Sequence, residues 1–200
     1  MSSIRPGISI EDLAGLVCAT LARHGVDVVL SGGAVVSIYS ENAYQSHDLD
    51  FIPVGLSGKV ADAMKELGFT RRDPRNWVHP RTRFSIEFPS GPIVAGGAQI
   101  SKFATRRTKH GRLRLLAPTE CVMDRLSKYF HWGDRQGLEQ AVAVAKRQRV
   151  NLARVEKWAR GEGPGRLEKY REFEERLAEG KRRSRRPTRR RKARKSRAGS

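Results

Sequence analysis

Cysteine is nearly absent from this chain: two occur in 200 residues, Cys18 and Cys121. Neither has a second Cys or a His at ligand spacing, which argues against a structural zinc site and against an oxidising compartment. Both fall in apolar helical patterns and are expected as small buried hydrophobes. Long hydrophobic runs are missing too; none approaches the roughly 18 residues of a membrane span. The N-terminus, with Glu11 and Asp12, lacks the basic and apolar regions of a signal peptide. These absences point to a cytoplasmic protein with no membrane partner.

Acid is missing from one stretch altogether. Residues 181–200 hold twelve of the 40 Lys and Arg and no Asp or Glu. The other 28 bases face 21 acids over positions 1–180, so the net charge of +19 falls to +7 for that part. The first 180 residues are thus an ordinary, mildly basic globular chain. The run 181–200 has too little apolar area to offset its ordering entropy and is expected to be a disordered tail that binds nucleic acid.

What is present reads as an alternation of helices and strands. Ser9 precedes Glu11 and Asp12 as an N-cap, and apolar residues then recur at helical spacing up to Gly25. VDVVL (26–30) is unbroken and β-branched, as a buried strand should be. Ser31-Gly32-Gly33 turns the chain into a short apolar helix at 34–39. DLDFIPV (48–54) alternates acid with apolar residue, which predicts a strand with one apolar face. A helix at 56–69, strands around Trp77-Val78, at 83–88 and at 111–116, and helices opening at Pro118, Asp134 and Asn151 follow. GEGPG (161–165) marks a hinge before a last helix, 166–179, whose stripe of Leu167, Tyr170, Phe173 and Leu177 should pack on the body and which Gly180 should stop. His131-Trp132 is expected to end its helix and pack. The organisation expected is a core at 1–117, a helical module at 118–161, an additional helix at 162–180 and the tail at 181–200.

The informative segment is LSGGAVVSIYSENAYQSHDLDF, residues 30–51. Two carboxylates two residues apart on a strand share one face, about 6.5–7 Å apart at Cα. That spacing allows both to reach one divalent ion or a close pair. Oxygen ligands favour magnesium or manganese over zinc. Upstream, Gly32-Gly33 stands between a buried strand and a helix N-terminus, where free N–H groups can hold a phosphate. A Gly-Gly pair or an Asp-x-Asp alone is weak; their order, fourteen residues apart within strand–helix–strand, is far more specific.

This segment resembles the GG…DxD signature of the DNA polymerase β-type nucleotidyltransferase superfamily, and is similar to small bacterial members related to the abortive-infection toxins of toxin–antitoxin systems. The resemblance spans roughly residues 10–160, although only 30–51 is distinctive. It implies an α+β fold, a short mixed sheet with helices followed by a small helical module. It further implies that Gly32 and Gly33 contact a nucleoside triphosphate, with Ser31 at the variable first position. Asp48 and Asp50 would ligate magnesium or manganese, and Glu87 in RFSIEF would be the third catalytic carboxylate. Arg125, Lys128 and Arg135 would supply phosphate-binding charge. The chain departs from the pattern at Gln45, where many relatives have Arg, at Glu87, more often Asp, and at Arg125-Leu126 and Gly137-Leu138, where relatives often carry Lys-Leu and Asp-Leu.

The activity implied is transfer of a nucleoside monophosphate to a hydroxyl or phosphate acceptor, RNA among the candidates. The alternative is a non-catalytic nucleic-acid-binding protein on the same fold. The direction in which Glu87 points separates the two.

Overall fold

A computed structural model describes residues 4–54, 59–91 and 94–184, without the side chains of 180–184. Ser9 caps α1 (Ile10–Arg23), its hydroxyl accepting from the Asp12 amide at 3.1 Å. β1 (Val28–Ser31) is buried along its whole length, because strands flank it on both sides. It leads without a loop into α2 (Gly32–Tyr39), and then to β2 (Asp48–Pro53). α3 (Val60–Glu66) and three short strands follow: β3 (Thr70–Arg71), β4 (Asn76–Val78) and β5 (Ser85–Glu87). β6 (Val94–Ala95) and β7 (Ala98–Gln99) make a separate hairpin, before β8 (Phe103–Thr108) and β9 (Gly111–Leu116).

The main sheet has the order β3-β4-β5-β2-β1-β9-β8 and is mixed. β2 runs antiparallel to β1 and parallel to β5, while β1 runs parallel to β9. This is the α+β architecture expected, with a short mixed sheet and helices. The helical part comprises α4 (Pro118–Trp132), α5 (Arg135–Arg147), α6 (Leu152–Gly161) and α7 (Arg166–Ser184). Pro118 opens α4 at a position where its missing N–H costs nothing, and Gly133 closes it in the left-handed conformation. Asp134 and Asn151 cap α5 and α6 through their side chains.

One contiguous core runs from Ile4 through the sheet and α4 to Phe173 and Leu177, so the helical module is packed onto the sheet rather than hung from it. The stripe of α7 does pack on the body: Tyr170, Phe173 and Leu177 are buried and Leu167 partly so. Lys169 Nζ also donates to the carbonyls of Tyr129 and Phe130, at 3.0 and 2.9 Å, near the end of α4. Both cysteines are buried, and burial pushes the Cys18 thiol up to about 12.

Two expectations need correction. The backbone of α7 continues through Gly180 to Ser184; a glycine inside a helix costs only about 1 kcal/mol, and strong helix formers flank it on both sides. The rest of the expected tail, 185–200, lies outside the described residues, as does the Gly55–Gly58 part of the segment before α3. Trp132 does end its helix, but it does not pack: it is 76% exposed at the last helical position. His131 beside it bonds Glu162 at 2.8 Å. β8 lacks a readable strand pattern because its FATRRT stretch is half-exposed and carries two arginines.

Candidate active site

Strand register decides which side chains meet. Along β2, Leu49 and Phe51 are fully buried, while Asp48 and Asp50 point to the opposite face, Asp48 exposed and Asp50 half-buried. Across the β1–β2 pair, Ser31 lies opposite Asp50. Across β2–β5, Asp48 lies opposite Ser85 and Asp50 opposite Glu87. Residues directly opposite in a sheet share a face. Ser31, Asp50 and Glu87 therefore form a row across three adjacent strands, with Asp48 and Ser85 beside it.

Close contacts hold this row in place. Ser85 Oγ donates to Asp48 Oδ1. Ser31 Oγ reaches the Asp50 carbonyl at 3.4 Å. Gly32 has φ +71 and lies directly against the Asp50 carboxylate: a Cβ there would fall 1.8 Å from Asp50 Oδ2. A Cβ on Gly33 would fall 2.9 Å from Ser46 Oγ. Ser46 in turn clamps the start of β2, its hydroxyl donating to the Asp48 carbonyl at 2.9 Å and accepting from the Asp48 amide at 3.2 Å. Both glycines are thus required by contact with the acid strand and its lead-in. No side chain caps the start of α2, so its first amides are available to an anion.

The electrostatics agree with the register. Burial pushes the Asp50 carboxyl up to about 6, and repulsion from Glu87 and then Asp48 adds to that. Arg125 and Lys128 on α4 oppose the rise. Arg125 is buried at 5% exposure, its Nε bonded to Asp124 at 2.9 Å and its Nη1 to Gln140 at 3.2 Å. Burial disfavours its charge, but Asp124, and more weakly Asp50, more than offset this and hold its pKa above the ordinary value. Gly137 lets α5 come close behind: a Cβ there would lie 2.6 Å from the Arg125 carbonyl.

Of the expected site residues, the sheet brings together Ser31, Gly32, Gly33, Asp48, Asp50 and Glu87, and Arg125 and Lys128 on α4 lie near enough to bias the titration of Asp50. Arg135 is used elsewhere. It pairs with Glu172 of α7 and lies over the Tyr129 ring at 5.5 Å. Ser85 and Ser46 do not stand out in the sequence, yet each bonds Asp48. For Ser85 a signal exists, since it stands two residues before Glu87 and must share its face. The His47 ring, just before β2, lies 6.3 Å from that of Phe84.

The donor set suits a hard divalent cation in kind, being all carboxylate oxygen on one face. As the side chains stand, however, no three acidic, His or Cys groups among the described residues are gathered closely enough to hold an ion. Asp48 is turned onto Ser85, and Asp50 onto Gly32. Burial is the main cause of the raised Asp50 pKa, and the repulsion from Glu87 and Asp48 that adds to it is what a cation would relieve.

No protein-family model and no curated protein matches this sequence. Among solved structures, the chain is similar to an antigenic nucleotidyltransferase-like protein from Paracoccidioides brasiliensis. The TM-score is 0.54 at 13% identity, over 90% of this chain and 91% of that one. It also matches the solution structure of the antibiotic-resistance factor ANT(2'')-Ia, with a TM-score of 0.44 at 11% identity, over 88% and 96% of the two chains. The first likeness shows the fold to be nucleotidyltransferase-like. No described helix is long and apolar enough to cross a membrane.

Proposed function

We infer that this chain is a metal-dependent nucleotidyltransferase, moving a nucleoside monophosphate from a nucleoside triphosphate to a hydroxyl or phosphate acceptor. The observation that carries this reading is the Asp50–Glu87 pairing across β2 and β5, which sets a third carboxylate beside the Asp-x-Asp pair. The opposite register would have favoured a non-catalytic nucleic-acid-binding protein.

In the reaction an acceptor oxygen attacks the α-phosphorus in line. The bond from that phosphorus to the bridging oxygen breaks, and pyrophosphate leaves with the electron pair. Magnesium or manganese, when bound, lowers the pKa of the acceptor hydroxyl and neutralises phosphate charge. Asp48, Asp50 and Glu87 are the residues that would hold it. The uncapped amides at the start of α2 bind phosphate oxygens, with Gly32 and Gly33 permitting close approach. Arg125 and Lys128 place positive charge across from the acids, where charge develops on the leaving phosphates. The basic run 181–200 brings nucleic acid to the protein. The link to abortive-infection toxins rests on residues 30–51, and gene neighbourhood tests it.

The deciding experiment incubates the protein with each labelled nucleoside triphosphate, magnesium and total cellular RNA. Label should pass to an acceptor, and the transfer should stop on chelation and in the Asp50→Asn protein. Absence of transfer from all four triphosphates, with magnesium and with manganese, rejects the reading.

A further inference from the structure

At the lead-in to β2 a cleft of about 790 Å³ opens between the segment before α1 (6–10), the loop before β2 (Asn42, Gln45, Ser46) and the loop before β5 (80–84). Its position ties it to the site. Ser46 lines it, bonds both main-chain polar groups of Asp48, and touches the place where a Gly33 side chain would be. Its chemistry is one-sided: Arg81 and Arg83 line it and no acid does. Both arginines are exposed, and neither has a carboxylate partner among the described residues, unlike Arg23, Arg106, Arg125, Arg135 and Arg154. Gln45, Ser46 and Thr82 add neutral hydrogen-bonding groups. The aromatic lining residue, Phe84, is buried and covered by the Arg83 guanidinium at 5.3 Å, so no ring is free to stack on a base.

We propose that this cleft seats the acceptor and that the acceptor is a single-stranded nucleic acid, gripped by its backbone phosphates at Arg81 and Arg83 and led past Ser46 to Asp48. The role as acceptor site rests on the nucleotidyltransferase reading; strand binding does not. Guanidinium forks suit phosphate oxygens. A volume well above that of one phosphate group suits a stretch of chain. A cationic acceptor would find no carboxylate here. With phosphate contacts and no stacking ring, binding is tolerant of sequence.

The test uses the full chain and a short single-stranded RNA carrying photoreactive thiouridine, with the cross-linked peptides mapped. Cross-links are expected in residues 42–46 and 80–84 in addition to 181–200. In a double variant, Arg81→Glu with Arg83→Glu, the cleft cross-links should fall about tenfold or more, while those of the basic run, the melting temperature and nucleoside triphosphate binding stay unchanged. Cross-links confined to 181–200, or undiminished cleft cross-links in the double variant, overturn the proposal. So does loss of the cleft cross-links to inorganic phosphate at a matched phosphate concentration, which would mark a site for small phosphorylated molecules. The Asp50→Asn protein should cross-link as the parent does, so a failure of the transferase reading leaves this result standing and is told apart from it.

Discussion

Gly32 and Asp50 occupy one another's space so fully that a methyl group on the glycine would lie within bonding distance of the carboxylate, 1.8 Å from Oδ2. The backbone at Gly32 is also left-handed, at φ +71. Gly32→Ala should therefore destabilise the protein by about 2 kcal/mol and remove transfer. Combining it with Asp50→Ala relieves the collision but leaves the backbone strain. A melting experiment should then recover part of the stability, with a deficit of about 1 kcal/mol remaining. Full additivity of the two changes would mean that the two groups do not touch.

Asp50→Asn should abolish transfer and yet raise stability at neutral pH without added metal. The folded carboxyl titrates at about 6 against a reference of 3.8. The folded state thus binds the proton more tightly, and stability falls as pH rises through the window from about 4 to about 6. The amide has no such window. Denaturant titrations at several pH values should show the parent losing up to about 3 kcal/mol across it, the variant losing less, and magnesium narrowing the difference at pH 7.

Glu87→Gln separates a ligand from a bystander. The expected outcome is transfer lower by orders of magnitude, a higher magnesium requirement, and a lower Asp50 pKa once the neighbouring charge is gone. Unchanged transfer over a magnesium titration would leave a two-acid site and return the non-catalytic alternative.

Arg125→Met should cost about 3 kcal/mol, because it strands the buried Gln140 and the half-buried carboxylate of Asp124 without their partner. Pairing it with Asp124→Leu should restore most of that stability without restoring activity. Thermal melts of the single and double variants measure the first effect, and label transfer measures the second.

Deleting residues 185–200 removes nine Lys and Arg. The log–log salt dependence of nucleic-acid binding should flatten by about 0.7–0.9 for each phosphate the protein no longer neutralises, equally for unrelated sequences. An unchanged slope would show that the basic run takes no part in binding.

How much of this is legible in the sequence depends on the range of the interaction. Alternation in DLDF, the apolar run of β1 and the glycine pair are local signals, and each places its element correctly. Glu87 is readable as a strand residue, but its pairing with Asp50, 37 positions earlier in the chain, is set by which strands become neighbours. Local alternation cannot report that. Arg135 misleads for a related reason: a cation on a helix looks the same whether it faces a triphosphate or Glu172 of another helix. Two-residue strands such as β6 and β7 are below the length at which any periodicity can be read.

The placement of Glu87 at the last position of a three-residue strand has a further effect, on folding fidelity. If β5 slipped by one residue, Ile86 would oppose Asp50 and be turned out to solvent, while Glu87 would be forced among Leu49 and Phe51. Burying that charge without a partner costs several kcal/mol. The same carboxylate therefore acts as a frame check, because a mis-registered chain is heavily penalised. Replacing Glu87 by an apolar residue would remove the penalty, so such a variant should populate slipped pairings that the parent chain avoids.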